Sequence, residues 1–234
     1  MLNASDFFTI PESFQFKDSF DLSDSPWNWI KQIKYVLDNY NFKSIQGINP
    51  NKIPKNFHIN GSVFIDPSVK LPPYGSISGP CFIGKNTELR PGIYIRGYVI
   101  IGQSCVLGNS CEFKNSIILD HAQIPHYSYV GDSIVGNHAH LGAGAICSNL
   151  RFDQKPVNVY DLNNKCISTG LRKLGAIIGD SVEIGCNSVL NPGSLLLPKS
   201  ILYPNITFSG TLAYGHIAYI ENKHKAIRYK TYNS

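Results

Sequence analysis

An aliphatic residue recurs every six positions along most of this chain. The first run has constant spacing and consists of Ile65, Leu71, Ile77, Ile83, Leu89, Ile95, Ile101, Leu107, Phe113 and Leu119. The spacing then varies between five and six residues through Ile124, Val130, Val135, Leu141 and Cys147. After an interruption, the six-residue spacing resumes at Ile178, Ile184, Leu190 and Leu196. A six-residue period fits neither an amphipathic helix nor a β-hairpin.

This period predicts an all-β fold of one kind, a parallel β-helix built from hexapeptide repeats. Each hexad forms a short strand and a turn, three hexads complete a triangular coil, and the recurring aliphatic side chain points inward. Turn-forming residues follow these positions in FIGKN, IIGQS and VLGNS, as expected where a corner needs a positive φ. One coil cannot bury its apolar side alone, so the repeats are stable only as a stack.

The N-terminal extension, residues 1–60, contains a predicted helix at about 26–40. Ser25 is placed to cap it and Pro26 suits its first turn. Four apolar residues share one face of this helix: Trp29, Ile33, Val36 and Tyr40. We expect that face to pack against the coil or against a neighbouring subunit.

The repeat domain covers 61–205 and is interrupted at 148–176 by the polar stretch SNLRFDQKPVNVYDLNNKCISTGLRKLGA. An insertion of this length in a solenoid leaves the coil as an arm, and such segments often carry function. Residues 206–234 form a basic C-terminal segment that either closes the coil or meets a phosphate group.

Composition narrows the possible partners. The formal net charge of +5 suits phosphorylated small molecules, and nucleic acid is not expected because the chain has no lysine and arginine block. No apolar run approaches the roughly 18 residues that span a bilayer, so no membrane partner is expected. The N-terminus lacks the basic-then-apolar order of a signal peptide, and the six cysteines form no C-x-x-C pair. We therefore expect a soluble cytoplasmic protein with reduced thiols.

Several irregular stretches coincide in order: CEFKNS, HYSYVGDSIVG, HLGAGAICSNLRFDQKPV and TGLRKLGAIIGDSVEIGCNSVLNPG. Together they resemble the acetyltransferase half of bifunctional sugar-1-phosphate uridylyltransferase/amino-sugar-1-phosphate acetyltransferases, most of all the archaeal-type members. The resemblance covers about 60–205 and implies left-handed coiling, a homotrimer with parallel coils, and acetyl-CoA as co-substrate without a required metal. No Gly-rich nucleotide loop occurs near the start, so no uridylyltransferase activity is expected of this chain. Whether a separate uridylyltransferase acts in the same pathway stays open.

By this resemblance His126 is the general base for attack of a sugar amino group on the thioester of acetyl-CoA. An amine attacks only after losing a proton, and a free histidine side chain, with a pKa of about 6.5, is mostly neutral at pH 7. Glu112 corresponds to the carboxylate that orients the histidine. Ala143 matches the position whose backbone N–H faces the developing oxyanion, and Cys186 matches a residue that contacts CoA. Structural roles in packing, turns or the solvated surface remain open for each.

The resemblance also assigns the sugar-phosphate ligands: Arg96, Lys114, Tyr129, Asn149 and Lys155. Arg90, in LRPG, is an alternative to Arg96, but counting back from Glu112 favours Arg96. A family asparagine is replaced here by His140, and Leu150 stands where an aromatic residue follows the binding asparagine. These departures leave the identity of the amino sugar open, as glucosamine or galactosamine 1-phosphate.

Three other functions stay open. The first is a metal-dependent carbonic anhydrase, since His121 and His126 are suitably spaced, but the third histidine would have to be His58, ahead of the predicted coil. The second is a non-catalytic β-helix that acts as an oligomerisation or regulatory platform. The third is an acyltransferase acting on a nucleotide-linked amino sugar.

Overall fold

The computed structural model describes residues 2–43 and 47–221. The described chain is a parallel β-helix with three faces, which we name face A, face B and face C in chain order. Face A comprises Asn56–Asn60, Tyr74–Ser78, Ile93–Ile95, Glu112–Lys114, Tyr129–Gly131, Ile146–Cys147, Val189–Leu190 and Thr207–Phe208. Face B comprises Val63–Ile65, Cys81–Ile83, Val99–Ile101, Ser116–Ile118, Ile134–Val135, Ala176–Ile178, Ser194–Leu196 and Thr211–Leu212. Face C comprises Glu88–Leu89, Val106–Asn109, Gln123–His126, His140–Leu141, Glu183–Ile184, Ile201–Leu202 and Ile217–Ala218.

The predicted parallel β-helix is confirmed, and the recurring aliphatic residues fill its centre. Ile77, Ile83, Ile95, Ile101 and Leu107 are fully buried in one continuous core. The coil extends further than the predicted 61–205, because its first strand starts at Asn56 and its last ends at Ala218. Part of the predicted basic C-terminal segment is therefore coil, and residues 222–234 lie outside the described part of the chain.

One position of the predicted core is wrong. Ile118, not Leu119, points into the coil and pairs with Ile101, whereas Leu119 belongs to a second apolar cluster outside face B. The coil shortens here, since Phe82 pairs with Ile100, eighteen residues later, but Ile100 pairs with Ile117, seventeen residues later. Periodicity could not locate the missing residue, because Ile117, Ile118 and Leu119 are all aliphatic.

The second cluster exists because the outer surface of face B is apolar and the N-terminal extension covers it. The α-helix spans Pro26–Asp38, two residues shorter than predicted, and it packs against strand Ser116–Ile118. Trp29 and Ile33 are fully buried, as expected for the inward helix face. Of the two packing surfaces left open by the sequence, this structure uses the coil of the same chain.

Short elements complete the extension: 3-10 helices occupy Ala4–Asp6, Lys17–Ser19 and Pro50–Lys52. Ser25 precedes the α-helix in an extended conformation, but its side chain makes no capping hydrogen bond there, which corrects the predicted cap. Its carbonyl instead accepts a hydrogen bond from Asn28 N at 2.9 Å, and Pro26 begins the helix.

The predicted arm leaves the coil after Cys147 and returns at Ala176. It contains an antiparallel hairpin of Asn158–Tyr160 and Cys166–Ser168. Val157 and Val159 are buried against the second apolar cluster, so the arm folds back along face B.

Candidate active site

Three of the predicted residues lie along one edge of the coil, the corner between faces C and A. His126 ends a face C strand and pairs with Asn109 of the preceding coil. Gly144 N donates to His126 O at 3.1 Å, and Asn187 N donates to Ala143 O at 2.8 Å. His126, Ala143 and Cys186 therefore occupy equivalent positions in three successive coils. With coils about 4.8 Å apart, this edge extends about 10 Å from His126 to Cys186.

Two groups at this edge, the His126 ring and the Ala143 N–H, are free of hydrogen bonds to the described chain. The His126 side chain is exposed, and within residues 2–43 and 47–221 no group is hydrogen-bonded to its ring. Tyr127 turns the corner with a φ of 50°, and its ring centroid lies 6.3 Å from that of His126. In the same described part, no acceptor receives the Ala143 N–H. A proton acceptor and a backbone donor are thus available on adjacent coils.

The adjoining outer surface of face A carries the predicted carboxylate. Glu112 pairs with Tyr94 in the coil before and with Tyr129 in the coil after, so their side chains form one column. Arg96 Nη1 donates to Glu112 Oε1 at 2.7 Å, and this hydrogen bond raises the pKa of the Arg96 guanidinium. The role of Glu112 in orienting His126 stays a prediction, since its hydrogen bond in this structure is with Arg96.

A buried carboxylate joins the remaining predicted ligands. Asp132 is 4% exposed, and its oxygens lie 3.0 and 3.3 Å from Lys114 Nζ. Asn149 Nδ2 donates to Asp132 Oδ2 and, at 3.1 Å, to the hydroxyl of Tyr129. Asn115 Nδ2 donates to the other Asp132 oxygen at 2.8 Å. Lys114, Tyr129 and Asn149 are therefore parts of one hydrogen-bonded network.

The electrostatics of this network keep Tyr129 protonated. Burial raises the pKa of the Tyr129 phenol, and the negative charges of Asp132 and Glu112 raise it further. Because Asn149 donates to the phenolic oxygen, the Tyr129 hydroxyl proton remains available for an oxygen of a ligand.

Two other predicted or alternative residues lie apart from the network. Lys155 is exposed on the arm, and its backbone N–H donates to Asp153 Oδ1 at 3.2 Å. Arg90 follows a face C strand and its Nε donates to Glu88 Oε1 at 2.9 Å. Arg96 directly follows a strand of face A, the face that carries Tyr129 and Lys114, whereas Arg90 follows a strand of face C.

Other features of the sequence fall elsewhere. His121 stacks on His138 at the corner between faces B and C, with ring centroids 4.6 Å apart. His126 lies at a different corner, which separates the two histidines of the alternative metal site. His140 Nδ1 is 2.8 Å from Glu183 Oε2 on the outer surface of face C. All six cysteines are free, four of them buried and two, Cys166 and Cys186, exposed.

Sequence reasoning missed Asp132, although a signal was present. The coil loses one residue at Asn115 and again at Asp132, since Ile100, Ile117 and Ile134 pair at intervals of seventeen. Both residues turn the corner between faces A and B with positive φ. The slip in the hexad spacing therefore marks the two tightened corners that bring Asp132 to Lys114.

Comparison with known proteins places this architecture in a family. Residues 77–210, more than half of the chain, match the family model described as the GMPPB C-terminal domain. The chain belongs to this family.

Curated relatives agree with the family. The bifunctional sugar-1-phosphate nucleotidylyltransferase/acetyltransferase of Sulfurisphaera tokodaii is 38% identical over 190 residues, 81% of this chain and 46% of that protein. The bifunctional protein GlmU of Methanocaldococcus jannaschii is 40% identical over 168 residues, 72% of this chain and 40% of that protein. The uncharacterised acetyltransferase YaiX of Escherichia coli is 32% identical over 179 residues, 69% of this chain and 74% of that protein.

This chain spans less than half of the length of the two archaeal relatives. These matches confirm the predicted resemblance to the acetyltransferase part of bifunctional sugar-1-phosphate enzymes. Within the described ranges, no helix has the length and apolar character to cross a membrane. The same ranges contain no cluster of three His, Cys, Asp or Glu side chains arranged to hold a metal ion.

Proposed function

We propose that this chain is an acetyl-CoA-dependent N-acetyltransferase that acts on an amino-sugar 1-phosphate. The observation that carries the proposal is the network of Lys114, Asp132, Asn149 and Tyr129 on the side of face A opposite the His126 corner. Hydrogen-bond donors suited to a phosphate and to sugar hydroxyls thus lie across one face from a free imidazole. The names of the relatives, which include sugar-1-phosphate and acetyltransferase, agree with this chemistry.

In the proposed reaction the acceptor amine attacks the carbonyl carbon of the acetyl thioester. His126 accepts the proton that the amine nitrogen loses, which keeps the nitrogen lone pair available for the new C–N bond. The thioester C–S bond breaks and CoA leaves as the thiol after taking up a proton. The Ala143 N–H would donate to the oxyanion that forms on the carbonyl oxygen.

The remaining residues bind the two substrates. Lys114 and Tyr129 would donate hydrogen bonds to the phosphate, with Arg96 and Lys155 completing its charge compensation. The edge from His126 through Ala143 to Cys186 would hold acetyl-CoA. As a homotrimer with parallel coils, the molecule would form its sites in the clefts between neighbouring subunits.

The test is CoA-thiol release from acetyl-CoA by wild type and His126→Ala, with three acceptors: glucosamine 1-phosphate, galactosamine 1-phosphate and a nucleotide-linked amino sugar. We expect release that depends on a sugar 1-phosphate and falls by about 10²- to 10⁴-fold in the variant. If CoA is released only with the nucleotide-linked amino sugar, that sugar and not a sugar 1-phosphate is the acceptor. A folded protein that releases no CoA with any of the three would favour a non-catalytic platform.

A further inference from the structure

The Asp132 carboxylate is almost completely buried, yet three side chains donate to it. It takes two contacts from Lys114 Nζ, one from Asn115 and one from Asn149. A buried carboxylate is costly unless its oxygens are hydrogen-bonded and its charge is paired. Here both conditions are met by residues from two parts of the chain: Lys114 and Asn115 of the preceding coil, and Asn149 at the root of the arm.

The same carboxylate is at the point where the arm departs and returns. Asn149 is two residues beyond the last strand before the arm, and Gly175 N, at the end of the arm, donates to Asp132 O at 2.8 Å. Asp132 therefore holds both ends of the arm against the corner between faces A and B.

The hydrogen-bonding capacity of an ionised carboxylate determines which way its neighbours face. A carboxylate only accepts, so Asn149 must turn its amide nitrogen toward Asp132. Both N–H donors of that amide are then used, one by Asp132 and one by the Tyr129 hydroxyl. Asn149 Oδ1, an acceptor, is left for a ligand, while Tyr129 keeps its O–H and Lys114 at least one N–H as donors.

We infer that Asp132 is a positioning residue that sets the donor and acceptor pattern of the acceptor-sugar site. Lys114 and Tyr129 are presented as donors to the phosphate, and Asn149 Oδ1 is presented as an acceptor to a hydroxyl or amino group of the sugar. This inference rests on the proposed function, since it names which group of the acceptor each side chain meets.

Two physical effects of removing this charge have opposite signs, and this makes the inference testable. Replacing a negative group beside a phosphate site with a neutral one would strengthen phosphate binding if charge alone mattered. Loss of the carboxylate also frees Lys114 and allows the Asn149 amide to turn, which would weaken binding. If Asp132 acts by positioning, the second effect prevails.

The experiment measures kcat and KM for both substrates in Asp132→Asn, with Asp120→Asn as a matched control. Asp120 is a similarly buried carboxylate, 3% exposed, but it accepts from Ser13 and Gln103 at the corner between faces B and C. We expect the KM of the amino-sugar 1-phosphate to rise about tenfold or more in Asp132→Asn, the loss expected for hydrogen bonds to a charged group. The KM of acetyl-CoA should stay within about twofold, and Asp120→Asn should change neither.

Asn115→Gly provides a second variant in case Asp132→Asn does not fold. Asn115 has a φ of 46°, which glycine adopts without strain, so this change removes one hydrogen bond to Asp132 and leaves the charge in place. A smaller rise of the acceptor KM is expected. An acceptor KM that is unchanged or lower in the folded variants, with active wild type, overturns the inference alone. If the wild-type protein is inactive with every acceptor, the proposed function is overturned as well.

Discussion

At the scale of single residues, Arg96 and Arg90 form a matched pair for locating the phosphate. Each guanidinium is hydrogen-bonded to a glutamate, Glu112 on face A for Arg96 and Glu88 on face C for Arg90. We expect Arg96→Ala to raise the KM of the sugar phosphate about tenfold, as for loss of a charge-assisted hydrogen bond, and Arg90→Ala to change it less than twofold. Steady-state kinetics of the two variants decide between them. The reverse ranking would move the phosphate site to face C.

The two exposed thiols give a second test, of the acetyl-CoA path. Cys186 lies on the His126 edge, whereas Cys166 is in the arm hairpin. The other four thiols are buried, and burial raises the pKa of Cys105 and Cys147 to about 12, so they react slowly with alkylating agents.

A CoA molecule bound along this edge would cover Cys186 only. At a CoA concentration of about ten times its Kd, alkylation of Cys186 should slow about tenfold because only the free fraction reacts. Mass spectrometry of iodoacetamide-treated protein measures both sites, and Cys166 is the internal control. Equal rates at Cys186 with and without saturating CoA would show that CoA lies elsewhere.

At the scale of elements, the N-terminal helix is held by apolar contacts with the coil. Ile33 is fully buried in the cluster that joins the helix to face B, and Tyr35 on the same helix is 73% exposed. We expect Ile33→Ala to lower the free energy of unfolding by about 2–5 kcal/mol and Tyr35→Ala to change it by less than about 0.5 kcal/mol. Denaturant titration followed by tryptophan fluorescence measures both, since Trp29 is in the same cluster. Similar stability of the two variants would contradict the packing of this helix.

The hexad carries information about one position in six, and this limits which elements the sequence can predict. One aliphatic residue per hexad identifies the inward position, which is why the period predicts the parallel β-helix that the structure confirms. The sequence could not show which surface of the coil the extension covers, because inward and outward residues of face B are both apolar. For the same reason the period predicts Leu119 instead of Ile118 as the inward residue, since Ile117, Ile118 and Leu119 are all aliphatic and adjacent.

The candidate site shows a different limit. Resemblance assigned Lys114, Tyr129 and Asn149, and the structure joins them in one network. Asp132, which joins them, follows no hexad rule, because its contacts arise from a corner that is one residue short. The hydrogen bond between Glu112 and Arg96 could not be predicted either, since a pattern of strands does not show which cation a carboxylate pairs with.

At the scale of the whole molecule, the two ends of the proposed site lie on opposite edges of face A. His126 is at the corner between faces C and A, whereas the arm that carries Lys155 leaves from the corner between faces A and B, where Asn149 meets Asp132. In a homotrimer, the arm of one subunit could then serve the His126 edge of its neighbour. Each catalytic site would contain His126 from one chain and Lys155 from another.

Mixing two variants with different defects tests this arrangement. Subunits with His126→Ala lack the base, and subunits with Lys155→Ala are expected to turn over slowly at low acceptor concentration. In every trimer that contains both variants, one of the three sites combines His126 of one chain with Lys155 of the other, so about a third of wild-type activity should return. The measurement is CoA release by co-expressed, doubly tagged trimers whose mass is verified by light scattering. If each site is made by one chain, the mixed trimers will show no more than the average of the two parents, because every site then keeps one of the two defects.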